Sequence, residues 1–264
     1  MKIAVHLDPD VMAKVAADSA AQILRDAIQR RGRASFVAAT GASQFNFLKY
    51  LVAAPGIAWE RMTMFHLDEY IGMSADHPAS FRRYLRERLT SKVPIGTVHF
   101  IAGDAPDLAV ELTQLNRAIS STSIDAAFVG IGENGHLAFN DPPADFTTEE
   151  PYIVVRLDEA CRRQQVGEGW FESVSEVPES AISMSIRQIL KAREIICVVP
   201  DTRKAAPVKA VLEGPVTPDV PASALREHGN VTVYLDAASA ALLQPETLRA
   251  FGGVPGPGSS FRSR

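Results

Sequence analysis

The fold is indicated by one apolar strand and the loop after it: Ile124-Asp125-Ala126-Ala127-Phe128-Val129-Gly130-Ile131-Gly132-Glu133-Asn134-Gly135-His136-Leu137-Ala138-Phe139-Asn140-Asp141-Pro142. In α/β proteins, ligands bind to loops at the carboxyl ends of parallel strands. Glycines let a ligand approach the main chain, and a histidine can transfer protons near neutral pH. The stretch therefore predicts a functional loop at the edge of a sheet.

The same loop matches the dinucleotide-binding pattern G-x-G-x-x-G at Gly130, Gly132 and Gly135. In such a site the last glycine opens a helix whose N-terminus faces the pyrophosphate. Here Asn140-Asp141-Pro142-Pro143 follows closely, and proline interrupts a helix because it has no amide donor. We therefore expect no nucleotide cofactor.

Short apolar segments alternate along the whole chain with longer segments of helical periodicity. The predicted strands are Lys2 to Leu7, Ser35 to Ala39, Met62 to Leu67, Val98 to Ile101, Ile124 to Val129, Tyr152 to Leu157, Glu194 to Val199 and Val231 to Leu235. The predicted helices are Asp10 to Arg31, Ser43 to Ala53, Ser80 to Leu89, Leu108 to Ile119, Ser180 to Lys191 and Thr202 to Glu213. Such alternation predicts an α/β fold with a mostly parallel central sheet and helices on both faces.

Composition narrows the class of protein. The 264 residues carry a net charge of −4 without a basic block, which argues against a nucleic-acid partner. Cys161 and Cys197 are too few for a disulfide scaffold or a cysteine-rich zinc site, so we expect no metal. No apolar run approaches the roughly 18 residues of a membrane span, and we expect a cytoplasmic protein without a membrane partner. One domain is expected over residues 1–250, followed by a disordered tail at 251–264.

Two segments at strand ends could hold an anion such as phosphate. The first, Ala39-Thr40-Gly41-Ala42-Ser43, offers small residues, two hydroxyls and free amides before a helix. The second places Lys204 in a first helical turn, after the capping candidate Asp201. The alternatives are that Ser43 is only a helix cap and that Lys204 is a solvated surface residue.

Adjacent carboxylates, Asp68 and Glu69, leave the end of another predicted strand. Consecutive strand residues face opposite sides, so only one of the two can point into a shared pocket. A carboxylate with a raised pKa can remove a proton from a carbon beside a carbonyl. The alternative is that both acids are solvated or cap a neighbouring segment.

Together these segments resemble the glucosamine-6-phosphate deaminase family, also called glucosamine-6-phosphate isomerase, from near the N-terminus to about residue 245. The resemblance is carried by Leu67-Asp68-Glu69-Tyr70-Ile71-Gly72 with His77-Pro78 and Ser80, by Gly130 to Pro142, by Val177-Pro178 with Ala181-Ile182-Ser183-Met184, and by Lys204 before Glu213-Gly214. It implies a Rossmann-like three-layer sandwich. It also implies conversion of glucosamine 6-phosphate and water into fructose 6-phosphate and ammonia without a cofactor.

The resemblance also implies roles for individual residues. Asp68 matches the general base, His136 the histidine that opens the sugar ring, and Asp141 its supporting carboxylate. The phosphate-binding positions match Thr40, Gly41, Ala42, Ser43 and Lys204, and we add Glu69, Gly132 and Gly135 to the predicted substrate-binding set. The partner implied is a small amino-sugar phosphate, and a homo-oligomer stays open.

Three departures from the family pattern bear on activity. Asn134 stands where the best-known members have aspartate, and Asp141 is shorter than their glutamate. Asparagine can orient a group but cannot accept a proton, so we assign it to the catalytic set as an orienting residue. The family's phosphate-binding arginine falls on Gly169, and Arg162 or Arg163 is the expected substitute.

Two other functions stay open at this point. A 6-phosphogluconolactonase has a comparable glycine-histidine loop, but it usually carries Asp-Glu-Arg where this chain has Asp68-Glu69-Tyr70. A sugar-phosphate sensor that keeps the pocket without turnover belongs to a different class, and Asn134 keeps it open.

Some members of the family are activated by a sugar phosphate bound at basic residues just after the histidine loop. The corresponding stretch here, Thr147-Thr148-Glu149-Glu150-Pro151, is acidic and would repel a phosphate. We expect N-acetylglucosamine 6-phosphate to leave the curve of rate against substrate concentration unchanged. A leftward shift of that curve on addition of the compound would contradict this expectation.

Overall fold

The computed structural model describes residues 1–251, which form ten strands and eight helices. The strands are β1 (Lys2–His6), β2 (Ala34–Ala38), β3 (Met62–His66), β4 (Asp68–Tyr70), β5 (Thr97–His99), β6 (Ala126–Val129), β7 (Tyr152–Arg156), β8 (Ser180–Met184), β9 (Glu194–Val199) and β10 (Val231–Asp236). The helices are α1 (Pro9–Arg31), α2 (Phe45–Ala53), α3 (Phe81–Leu85), α4 (Leu108–Ser120), α5 (Glu159–Gly167), α6 (Ile186–Ile189), α7 (Ala205–Glu213) and α8 (Pro245–Ala250).

Seven of the strands form one sheet in the order β1-β10-β9-β6-β2-β3-β5, and all neighbours in it run parallel. Helices cover both faces. On one face Leu24 of α1 packs in a core with Phe36 and Phe128, and on the other Leu115 of α4 and Val208 of α7 belong to a second core. The predicted α/β sandwich with a mostly parallel sheet is confirmed.

The position of the site follows from the strand order. Strand β2 is buried along its whole length, as a central strand covered on both faces should be. From β2 the sheet continues through β3 and β5 on one side and through β6, β9 and β10 on the other. The strand order therefore reverses direction between β2 and β6, and the crevice beyond their carboxyl ends is where such sheets bind ligands.

A second, antiparallel sheet, in the order β4-β8-β7, corrects the reading of two segments. The strand expected from Tyr152 to Leu157 forms as β7, but it lies outside the parallel sheet. The helix expected from Ser180 to Lys191 is wrong, because this segment begins as strand β8 and only Ile186–Ile189 is α-helical. Strand β8 pairs with a strand on each side, and this tertiary pairing outweighs the local helical periodicity.

The described helices and the two ends of the described segment complete the picture of the fold. Among residues 1–251, none of the helices has both the length and the apolar character that a membrane span requires. The backbone N–H of Ile3 donates to the carbonyl of Phe251 at 3.3 Å, so the two ends of the described chain meet. The rest of the predicted tail, residues 252–264, lies outside the described residues.

Candidate active site

Four loops at the carboxyl edge of the parallel sheet surround one cavity. They follow β2, β3, β6 and β9, which are neighbours in the sheet. Six of the predicted site residues line the cavity: Thr40, Ser43, Asp68, Gly132, His136 and Lys204. The structure therefore brings together the predicted acid, the imidazole and parts of both anion-binding segments.

The imidazole of His136 is oriented by a buried carboxylate. Its Nδ1 lies 3.1 Å from Oδ1 of Asp141, and both side chains are largely buried. Burial alone would raise the pKa of Asp141, but its bonds to His136, Asn134 and the backbone of Asp158 lower it below its usual value. Because Nδ1 faces a carboxylate, it carries the proton, and Nε2 is the ring nitrogen left for a ligand.

Gly132 explains how the imidazole reaches the cavity. A Cβ atom at this position would lie 2.2 Å from Nε2 of His136, so the ring occupies the space that any other side chain would need. Gly135 has a different role. Its φ is +83°, its N–H donates to the carbonyl of Gly132, and it does not line the cavity. Gly135 therefore shapes the turn rather than the pocket wall.

Asn134 acts on the carboxylate and not on the imidazole ring. Its Nδ2 donates to Asp141 Oδ1 at 3.0 Å and to Asp158 Oδ2 at 3.1 Å, while its Oδ1 accepts from the backbone N–H of His136 at 3.1 Å. The backbone N–H of Asp158 donates to the other oxygen of Asp141 at 2.9 Å. Asp158, which the sequence analysis did not single out, thus completes the support of the His136–Asp141 pair.

Asp68 is a buried acid on the cavity wall. It begins β4, where it pairs with Ser183 of β8, and only 6% of its surface is exposed. Burial, with a smaller contribution from the neighbouring carboxylate of Glu69, raises the pKa of Asp68 to about 8. A carboxyl group in this state can hold or accept a proton near neutral pH, as a general base or acid requires.

Glu69 is not brought into the cavity, contrary to its place in the predicted binding set. Its carboxylate accepts the backbone N–H groups of Tyr70, Phe81 and Arg82 and the hydroxyl of Ser80, at 2.8–3.2 Å. Burial raises its pKa, and these four donors counteract that effect. Glu69 therefore anchors the start of α3, and the alternation of strand residues leaves only Asp68 facing the cavity.

The anion-binding loop after β2 is only partly as expected. Gly41 has a φ of +94°, a conformation that favours glycine, and its carbonyl accepts the hydroxyl of Tyr84 at 2.9 Å. Thr40 and Ser43 line the cavity, whereas Ala42 lines an adjoining groove. The hydroxyl of Ser43 accepts from Gln44 Nε2 at 3.0 Å and caps no helix, so the alternative reading of Ser43 as a helix cap is wrong.

Lys204 supplies a buried cation to the same cavity. It ends the short turn Thr202–Lys204 after β9, and only 5% of its surface is exposed, so the alternative of a solvated lysine is wrong. Burial lowers its pKa, while Glu168 and Glu133 act in the opposite direction. Arg203 forms ion pairs with Glu133 at 3.3 Å and with Asp201 at 3.0 Å. Glu133 and Asp201 are therefore paired with Arg203 and not with Lys204.

Sequence reasoning missed helix α5, which with the residue that caps its C-terminus brings three further residues to the cavity: Gln164 and Gln165 of the helix and the cap residue Glu168. Asp158 caps this helix by accepting the backbone N–H of Cys161 at 2.5 Å. An aspartate followed by Glu159 in the first turn is a typical helix start, so the sequence did contain a signal for the helix. It contained no signal for the direction in which the helix points.

The arginines expected to replace the family's phosphate ligand do not reach the cavity. Arg162 donates to the backbone carbonyls of Val174 and Val177, at 2.6 and 3.2 Å. Arg163 is exposed and pairs with Glu159 on the same helix. Gly169 is exposed with a φ of +82°. The expectation that either arginine fills this role is therefore wrong, because α5 turns both away from the cavity.

Within residues 1–251, one cluster has the composition of a metal site. Ligand atoms of His136, Asp141 and Cys161 lie within 4.8 Å of one another. Burial raises the pKa of the Cys161 thiol, and the nearby carboxylates of Asp141 and Asp158 raise it further. A protonated thiol is a poor metal ligand. The cluster therefore fits a histidine–carboxylate pair beside a buried thiol, and the absence of a metal stays a prediction.

Comparison with protein families gives a clear relationship. The family model for glucosamine-6-phosphate isomerases and 6-phosphogluconolactonase matches residues 7–234. The chain belongs to this family. A glucosamine-6-phosphate deaminase of Lactobacillus delbrueckii subsp. bulgaricus is 35% identical over 246 residues, covering 92% of this chain and all of that protein. The corresponding enzyme of Latilactobacillus sakei is 39% identical over 210 residues, covering 79% and 86% of the two chains.

Solved structures agree with this relationship. A monomeric glucosamine-6-phosphate deaminase superposes with a TM-score of 0.83 and 30% identity, covering 92% of this chain and all of that chain. A 6-phosphogluconolactonase from Shewanella baltica gives a TM-score of 0.73 at 19% identity, covering 89% and 97% of the two chains. The second match shows a shared fold. The Rossmann-like α/β fold and the family predicted from the motifs are both confirmed.

The contact between Gly132 and the imidazole predicts a specific defect. Gly132→Ala should reduce catalytic turnover about 100-fold, because the methyl group must displace His136 and misplacing a catalytic group can cost that much. Gly229→Ala is the control, since nothing lies within 4 Å of its Cβ position. Assays and thermal unfolding of both variants should show a folded, impaired Gly132→Ala and an unaffected Gly229→Ala. Full turnover by Gly132→Ala would contradict the assigned ring position.

Proposed function

We propose that the protein converts glucosamine 6-phosphate and water into fructose 6-phosphate and ammonia, without a cofactor. The observation that carries the proposal is the pairing of charges in one cavity. Lys204 and the loop after β2 offer a site for an anion, and the buried carboxyl group of Asp68 offers a site for a cation. An amino-sugar phosphate carries both charges: its phosphate would meet the ammonium of Lys204, and its own ammonium would meet Asp68 and favour the ionised form of that carboxyl group.

The order of the strands supports two separate ends for the ligand. Lys204 follows β9 and Asp68 follows β3, while β6 and β2 lie between them. Neighbouring strands lie roughly 4.8 Å apart, so the two loops begin about 14 Å from each other. His136 follows β6, between the two ends. A six-carbon sugar held by its phosphate near Lys204 would thus present its ring to His136 and its amino-bearing carbon towards Asp68.

In this proposal Asp68 moves a proton between the first two sugar carbons. As a carboxylate it removes the proton from C2, and as a carboxylic acid it returns that proton to C1. The ammonium group on C2 would favour the charged form of Asp68, because an opposite charge lowers the pKa of a carboxyl group. Substrate binding would then generate the active base in the place where it is needed.

His136 opens the sugar ring in the same proposal. Ring opening requires one group to protonate the ring oxygen while the anomeric hydroxyl loses its proton. The bond from Nδ1 to Asp141 keeps the proton on that nitrogen and leaves Nε2 to exchange protons with the sugar. Asn134 takes no proton in this scheme, since its side chain holds Asp141 and the backbone of His136 in place.

The test is an ammonia-release assay with glucosamine 6-phosphate, run beside galactosamine 6-phosphate and 6-phosphogluconolactone. We expect ammonia from the first substrate and at least a 100-fold lower rate for Asp68→Asn and for His136→Ala, in line with the typical effect of acid–base groups. Lactone hydrolysis without ammonia would replace the proposal by a lactonase. Tight binding of the sugar phosphate without any product would replace it by a sensor.

The raised pKa of Asp68 predicts a pH profile. A carboxyl group with a pKa of about 8 is mostly protonated at pH 6 and mostly ionised at pH 9, and only the ionised form is a base. We therefore expect kcat/KM to rise with pH, roughly tenfold per unit well below pH 8, and to level off above it. The corresponding rise of kcat with pH should lie at lower pH, because the ammonium group of the bound substrate lowers the pKa of Asp68. A profile that is flat between pH 6 and pH 9 would contradict this role of Asp68.

A further inference from the structure

The anion end of the cavity contains a carboxylate that the proposed reaction does not use. Glu168 lines the cavity together with Thr40, Ser43 and Lys204. Its Oε2 lies 3.8 Å from the position that a Cβ atom of Gly41 would occupy, so the carboxylate lies beside the anion-binding loop. It also lines the adjoining groove, again with Ser43 and Lys204. Glu168 therefore places a negative charge where the proposed phosphate would bind.

This carboxylate is held in place by its neighbours. Gln164 Nε2 donates to its Oε1 at 2.8 Å, and Trp170 Nε1 donates to its Oε2 at 3.2 Å. The Trp170 ring packs edge-on against Phe45 and Tyr84, with ring centroids 6.1 Å apart in both pairs. Two donors and a packed aromatic group fix the carboxylate at the end of α5. Its position beside the anion loop is thus part of the fold.

Gln164 also connects Glu168 to the catalytic loop. Its Oε1 accepts the backbone N–H of Glu133 at 2.8 Å, three residues before His136. Glu133 pairs with Arg203 and does not line the cavity. Of the two glutamates joined through Gln164, only Glu168 faces the cavity beside Lys204. A ligand phosphate would meet one buried cation and one fixed anion. The repulsion from the anion opposes the attraction of the cation.

We propose that Glu168 is a specificity-determining residue that limits how tightly the cavity holds a phosphate group. The inference rests on the proposed function, in which substrate and product both carry that phosphate. A repulsion that acts equally on both raises KM and speeds release of the product, without changing the proton-transfer steps at the other end. Glu168 thereby keeps fructose 6-phosphate from remaining bound after ammonia has left.

Glu168→Gln tests this inference because it removes the charge and keeps the size of the side chain, while its one amide oxygen can still accept from either Gln164 or Trp170. We expect inorganic phosphate to bind roughly tenfold more tightly by titration calorimetry, as expected for loss of one close like charge. KM for glucosamine 6-phosphate should fall and inhibition by fructose 6-phosphate should strengthen by similar factors, with the change in KM exceeding that in kcat. Unphosphorylated glucosamine should bind as it does to the unmodified protein.

Glu172→Gln is the matched control, since it makes the same charge change at an exposed position outside the cavity. It should leave the phosphate affinity unchanged. A purely structural role for Glu168 predicts the opposite sign, because loosening α5 would weaken phosphate binding. Unchanged or weaker binding of phosphate by Glu168→Gln therefore overturns the inference. The calorimetry needs no turnover, so it decides this question even if ammonia release fails and the proposed function falls.

Discussion

The whole site depends on the register of four parallel strands. Ala38 at the end of β2 pairs with His66 at the end of β3 on one side and with Phe128 near the end of β6 on the other. Val129 of β6 in turn pairs with Cys197 of β9. These pairings bring the strand ends to one edge of the sheet, so the four following loops open on the same side. A one-residue slip of any strand would move its loop and reverse the faces of its side chains.

Burial gives the cavity its chemical character. Asp68 and Lys204 are both almost fully enclosed, and burial disfavours the charged form of each. The protein thus keeps an acid and a base whose charges are not fully compensated by its own groups. A ligand with a cation at one end and an anion at the other supplies the missing partners. Burying Asp68 and Lys204 costs solvation free energy, and a ligand with a cation at one end and an anion at the other recovers part of it on binding. A ligand that lacks either charge does not, so the cavity selects for ligands that carry both.

Much of this arrangement was predictable, because strand ends and glycine loops are local features of the sequence. The carboxyl-edge positions of Asp68, His136 and Lys204 followed from apolar runs that stop before them. Strand β8 was not predictable in this way, since its conformation depends on pairing with β4 and β7, which are distant in sequence. The position of Glu168 was hidden for a related reason. It depends on where α5 packs, and helical periodicity does not encode the direction of a helix.

The hydrogen-bond partners of Asn134 explain why this chain has asparagine where the best-known family members have aspartate. Its amide donates to Asp141 on one side and to Asp158 on the other, which only a group with two donor hydrogens can do. An aspartate here would place three carboxylates in contact within a partly buried network, and their repulsion would raise the pKa of Asp141. A protonated Asp141 would no longer hold the proton of His136 on Nδ1. Asp158 has to remain an aspartate because it caps α5. Beside two aspartates, an asparagine at position 134 keeps Asp141 charged. This departure from the family pattern therefore preserves the imidazole–carboxylate pair.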